Sequence, residues 1–278
     1  MELLIQHSSL VDDDDDAIDT NLEFINVKDK RGSTPLDAAA YEGQVKAIEF
    51  LIEKGALVNN KDFSGSTALF SATENGHIPA MTCLIKHGAS IHVHKDNGAS
   101  VLYIATIKNQ IEAMQFLINK GAVINDKNRN GATPLFIASQ LGQIEGMKLL
   151  LKNGADVNSR HNTSATPLFV AIENNKIEAI RILLDAEANV NIKDIEGNTP
   201  LHIAIRRNSI DAMSLLIQKK AILNERNDIG RTPLHCAVME NQVNITQTLL
   251  AAGAPIDDVV LHYISLEAPA NPSQCVLQ

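Results

Sequence analysis

Apolar residues come in short bursts at helical spacing along the chain and return after 33 residues. Ile144, Met147, Leu150 and Leu151 form one such burst, and that spacing predicts an amphipathic helix that Gly154-Ala155 ends. The closing pair keeps step as Gly55-Ala56, Gly88-Ala89, Gly121-Ala122, Gly154-Ala155, Glu187-Ala188, Lys220-Ala221 and Gly253-Ala254. Ahead of each burst stands a helix start: Thr34-Pro35-Leu36, Thr67-Ala68-Leu69, Ser100-Val101-Leu102, Thr133-Pro134-Leu135, Thr166-Pro167-Leu168, Thr199-Pro200-Leu201 and Thr232-Pro233-Leu234. The hydroxyl accepts an orphan backbone N–H, and Pro at the first helical position sacrifices no bond. Nine residues after each start come Gly43, Gly76, Asn109, Gly142, Asn175, Asn208 and Asn241. Gly and Asn most readily take the left-handed conformation that closes a helix. Each period therefore predicts a first helix, a second helix and an extended, hairpin-like finger leading into the next period.

The Thr-Pro-Leu-His of residues 199–202 and 232–235, the Leu-Leu pairs and the Gly-Ala-Asp-Val-Asn of residues 154–158 resemble ankyrin repeats. The resemblance covers residues 26–257 as seven tandem repeats. It implies an all-α helical repeat solenoid: helix-turn-helix units with short β-hairpin fingers, stacked ~8–10 Å apart into a curved rod on the order of 60–70 Å long. It also implies that His202 and His235 bond backbone across repeats, and that the chain binds protein. Three positions depart from the pattern. Ser164 replaces the finger-turn Gly, and Glu187 and Lys220 replace the Gly that ends the second helix. A left-handed residue other than Gly costs about 1–2 kcal/mol, so repeats five and six are expected to be the looser ones.

Residues 1–25 are expected to hold a half-repeat cap, because Leu4 to Val11 matches a second helix and its exit. The acidic run Asp12 to Asp16 then forms a solvated loop by self-repulsion. Residues 258–278 are expected to hold a cap helix around Val259 to Ile264 and a flexible tail. The final Cys275-Val276-Leu277-Gln278 fits the prenylation pattern, so Cys275 is a candidate lipidation site.

Composition narrows the function. Aromatics are 4% with no Trp, so the core must be Leu, Ile, Val and Ala. A net charge of −9 disfavours general affinity for nucleic acid. Three distant cysteines are no disulfide framework, and no apolar run reaches the ~20 residues of a membrane helix. The expectation is a cytoplasmic monomer, with partial membrane association if Cys275 is modified. No phosphate loop, nucleophile elbow or zinc-protease motif occurs, which predicts no enzyme, no cofactor and no metal. His92 and His94 could supply only two metal ligands.

A basic or His residue stands six positions before each helix start: Lys28, Lys61, His94, Lys127, Arg160, Lys193 and Arg226. This ladder is either structural or a track for an acidic partner. Positions that stacking leaves free, at finger tips and at the ends of first helices, are the candidate partner-binding residues. They are Tyr41, Phe63, Ile107, Leu141, Ile195, Arg206, Arg207, Ile229 and Met239. The function expected is a protein-interaction scaffold using its concave face. Two alternatives stay open: an effector or adaptor of a larger enzyme complex, and a nucleic-acid binder using the ladder.

Overall fold

The computed structural model describes residues 24–258 and 260–262, so the half-repeat reading of Leu4 to Val11, the Asp12–Asp16 run and Cys275 lie outside the described residues. The chain divides into two compact units, Met1–Ala122 and Val123–Gln278. In the first unit, three helix pairs follow one another: α1 (Pro35–Tyr41) and α2 (Val45–Glu53), α3 (Ala68–Glu74) and α4 (Ile78–Lys86), α5 (Val101–Ile107) and α6 (Ile111–Asn119). The second unit holds α7 (Pro134–Leu141) and α8 (Ile144–Lys152), α9 (Pro167–Glu173) and α10 (Ile177–Asp185), α11 (Pro200–Arg206) and α12 (Ile210–Gln218), α13 (Pro233–Met239) and α14 (Val243–Ala251). Within each unit, first helices pack on first helices and second helices on second helices.

The helix starts work as their chemistry dictates. Thr34, Ser100, Thr133 and Thr232 are extended N-caps whose hydroxyls accept the amide three residues on. The left-handed residues also fall where the period places them, with Asn109, Asn175, Asn208 and Asn241 at φ of 55, 52, 51 and 54°. Ser164, Glu187 and Lys220 take positive φ as well, at 61, 61 and 62°. Glu187 and Lys220 are tolerated for a visible reason. At the equivalent Gly121 and Gly154 an added Cβ would meet nothing within 4 Å, so only backbone strain opposes a side chain there.

The core is aliphatic, as the composition required. The leucine after each Thr-Pro or its equivalent is buried in every pair, and the second helices bury Met81, Met114, Met147 and Ile180 completely. Each such side chain contributes about 1.5–3 kcal/mol of burial, and the contribution repeats layer after layer.

The fingers depart from expectation. They are not β-hairpins: among the described residues the only strand-like pairing is one isolated bridge, His94 with Ser100. Asp29, Asp62, Asn128 and Asp194 each open a tight turn instead and accept two of its own amides, as Asp62 does from Ser64 N and Ser66 N at 2.8 Å each. Neighbouring fingers are joined by single backbone bonds. Phe63 N donates to Arg31 O at 3.0 Å and Asp96 N to Ser64 O at 2.8 Å, while in the second unit Ile195 N donates to Thr163 O at 3.0 Å and Asp228 N to Glu196 O at 3.1 Å. One bond per finger suffices to fix tip spacing but does not build a ladder.

Candidate protein-binding face

Within each unit, two rows of polar side chains tie fingers to the repeat that follows. The basic ladder is one of them. Lys28 Nζ donates to Lys61 O at 2.7 Å, Lys61 Nζ to His94 O at 3.3 Å, Lys127 Nζ to Arg160 O at 3.0 Å, Arg160 to Lys193 O at 2.7 Å and Lys193 Nζ to Arg226 O at 3.0 Å. These cations are therefore committed to backbone carbonyls 33 residues ahead, which supports the structural reading of the ladder over the partner track.

The second row escaped sequence reasoning. Asn59 Nδ2 donates to Gly88 O at 2.9 Å while its Oδ1 accepts Ser90 N at 2.9 Å. Asn125 does the same with Gly154 O and Asp156 N. Asn26 repeats the pattern with Gly55 O and Leu57 N. The signal was available, since Asn26, Asn59, Asn125, Asn158 and Asn191 stand two residues before the basic row.

The histidines also serve structure. His202 Nδ1 accepts Thr199 N at 3.1 Å and Nε2 donates to Arg231 O at 3.0 Å, the cross-repeat bond expected. Burial holds its pKa below the usual imidazole value. His235 departs from that expectation. Its Nε2 meets not backbone but Asp257 Oδ1 at 2.9 Å, where the 33-residue spacing breaks and, among the described residues, no further finger follows. Asp257 also accepts Arg226 at 3.0 Å and Val260 N at 3.2 Å, so one carboxylate closes the last repeat and caps the turn after it. Its pKa lies below the usual range, first because of the Val260 amide and then through His235 and Arg226.

The candidate partner-binding residues fall into three groups. Phe63, Ile195 and Ile229 are finger-tip side chains, 71, 66 and 70% exposed; the Phe63 and Ile195 amides are bonded to the preceding finger, and Ile229 follows Asp228, whose amide is. Ile195 and Ile229 sit on adjacent fingers, flanking the Asp228–Glu196 bond. Tyr41, Ile107 and Leu141 end first helices and are exposed, and Met239 is half-buried. Tyr41 is rigid at its backbone, because its carbonyl accepts Asn75 Nδ2 at 2.8 Å and lies 3.1 Å from His77 Nε2. Arg206 and Arg207 are not free cations: both reach Glu173 Oε1, at 3.5 and 3.1 Å. Glu173 is thus part of that surface, and neither composition nor period pointed to it. Exposed apolar residues also occur away from this face, at Leu57, Val123 and Ile222, one register position of the loop that follows the second helix.

A groove of about 930 Å³ opens in the first unit between α1 and the first two fingers, with Thr34, Asp37, Tyr41, Glu42 and Glu74 in its lining. Cys83 and Cys236 are free thiols whose pKa burial pushes up, the opposite of an activated nucleophile. Among the described residues no group of three or more His, Cys, Asp or Glu could hold a metal, and no helix is long and apolar enough to cross a membrane.

Comparison with known proteins agrees with this architecture. A family model of three ankyrin repeats matches residues 2–95, 57–128, 83–161, 124–194 and 168–259 in overlapping registers. The crystal structure of the human ASB11 ankyrin repeat domain superposes with a TM-score of 0.70 at 27% identity, covering 81% of this chain and 100% of that one. No match is found among curated protein sequences. With family matches running from residue 2 to residue 259 and the same helix-pair stack in a solved relative, the chain belongs to the ankyrin-repeat family.

Proposed function

We propose that the chain is a non-enzymatic scaffold that holds a partner protein on the surfaces that finger tips and first-helix ends build in each unit. The observation that carries this reading is the exposure of Phe63, Ile195 and Ile229 on fingers whose backbones are already fixed by neighbouring fingers. Large apolar side chains on a pre-set backbone give up little conformational entropy on binding, which is what an interface anchor requires. Among the described residues, the titratable groups displaced from their usual values do not assemble into a catalytic set. His202 and Asp257 are consumed by cross-repeat bonds, and the two thiols are held protonated by burial. Commitment of the basic ladder to backbone carbonyls argues against its use as a nucleic-acid track.

The same reading takes the scaffold as a cytoplasmic monomer, partly membrane-associated where Cys275 carries a lipid. That last element rests on the four-residue pattern and requires Gln278 to be the final residue before processing. The test of the scaffold is the double change Ile195→Asp and Ile229→Asp. Partner capture from native-cell extract should fall by roughly thirtyfold or more, the scale of an interface centre, with helical content unchanged. Undiminished capture would move the interface off the finger tips.

A further inference from the structure

Asp37 stands at the helix position where the other periods carry Phe70, Tyr103, Phe136, Phe169, His202 and His235. It is 6% exposed, and no other Asp, Glu, Lys or Arg among the described residues is so buried. Capping explains half of it. Oδ2 accepts Thr34 N at 2.7 Å and Thr34 Oγ1 at 2.8 Å, the service that His202 and His235 perform with Nδ1. His202 then uses its second nitrogen on the next repeat and His235 uses its own on Asp257, whereas among the described residues Asp37 Oδ1 accepts no hydrogen bond, and Asp37 lines the groove. No cationic nitrogen among the described residues lies within 4 Å of it, and Lys28, the cation that acts on it through charge, is committed to Lys61 O. A buried carboxylate left without a counter-charge is costly, and a cation from outside would relieve that cost.

The rest of the lining has the same preference. Five carboxylates face three cations there, and Lys95 is already paired with Glu74 at 3.5 Å. Glu42 is exposed beside half-exposed Tyr41, so a cation above Asp37 would find a second carboxylate and an aromatic ring within the same groove. One lysine or arginine side chain does not fill about 930 Å³, so its chain neighbours must enter with it.

We propose that this groove binds a basic peptide segment of a partner protein, with Asp37 Oδ1 and Glu42 taking a lysine or arginine side chain. The proposal rests on the scaffold reading and names the partner chemistry for one part of its face.

The test selects displayed random peptides on the full chain and measures the selected ones by fluorescence anisotropy. Asp37→His keeps the capping interaction, as His202 shows, but removes the carboxylate. The selected peptides should share a Lys or Arg at one position, and Asp37→His should weaken them roughly tenfold or more, as should norleucine in place of that cation. Glu42→Gln should weaken them severalfold, while the Ile195→Asp, Ile229→Asp pair leaves them unchanged. A melting curve confirms that Asp37→His is folded, and Asp37→Asn carries the same measurement if it is not. Peptides without a shared cation, or binding indifferent to both Asp37 variants, would overturn the proposal. If such peptides respond instead to the Ile195 and Ile229 changes, the scaffold reading survives without this groove. If no peptide is enriched, both fail.

Discussion

Asn59→Ala should loosen the join between two repeats although it touches no core residue. The side chain makes two bonds of 2.9 Å, donating to Gly88 O and accepting from Ser90 N, and Ala makes neither. Each bond is worth about 0.5–1.5 kcal/mol net, and solvent reaches the exposed site to rehydrate the freed groups, so the expected loss is about 1–2 kcal/mol. Lys61→Ala removes a single bond of 3.3 Å made by a flexible exposed ammonium, and should cost no more than about 0.5 kcal/mol. A stack of nearest-neighbour units need not unfold in one step, so the local readout is hydrogen exchange of the Ser90 amide. Exchange there should quicken roughly five- to thirtyfold in Asn59→Ala, with little change in Lys61→Ala. Equal effects from the two variants, or an unchanged Ser90 amide, would refute the view that the asparagine row holds the fingers.

Three further outcomes are expected. Glu187→Gly relieves a left-handed φ of 61° and should leave stability unchanged or raise it by up to about 1 kcal/mol in denaturant melts, whereas Gly121→Glu, entering open space at φ +91°, should lower it by about 1 kcal/mol. Asp257 has a depressed carboxyl pKa, so its contribution is present above the ordinary carboxylate value and is lost as pH falls through the lower folded value. Asp257→Asn should therefore lower the melting temperature near neutral pH, and the gap to the parent should close in strong acid. In a eukaryotic cell Cys275→Ser should move any membrane-associated fraction to the cytosol, and intact mass showing an unmodified Cys275 with Gln278 attached would exclude the lipid.

The period made the helices legible, because caps, left-handed closers and buried leucines all obey local rules that one repeat displays and the others restate. Even the three exceptions were readable, since Ser164, Glu187 and Lys220 took the backbone that their register demanded. The fingers were read only in part. Their extended course was foreseen, but a turn closed by Asp62 or Asp194 side chains leaves single cross-finger bonds rather than paired strands. His235 shows a second limit: its identity matches His202, yet its partner is a side chain because the repeat pattern stops there. The candidate face was the least legible part. Exposure at Phe63, Ile195 and Ile229 followed from register, but the clamp of Glu173 on Arg206 and Arg207 joins repeats 33 and 34 residues apart through side chains the framework does not specify. Asp37 was overlooked for the opposite reason, since it occupies a framework position with an unusual residue.

The most direct measurement of the scaffold claim is photo-crosslinking in native-cell extract, with benzoylphenylalanine placed singly at Phe63, Ile195 and Ile229 and, for contrast, at Thr82, Gln115 and Lys148 on second helices, positions that are exposed or half-buried. A protein adduct of one defined mass from the finger-tip positions, and none from the second helices, is the result predicted. Adducts confined to Thr82, Gln115 and Lys148 would contradict it.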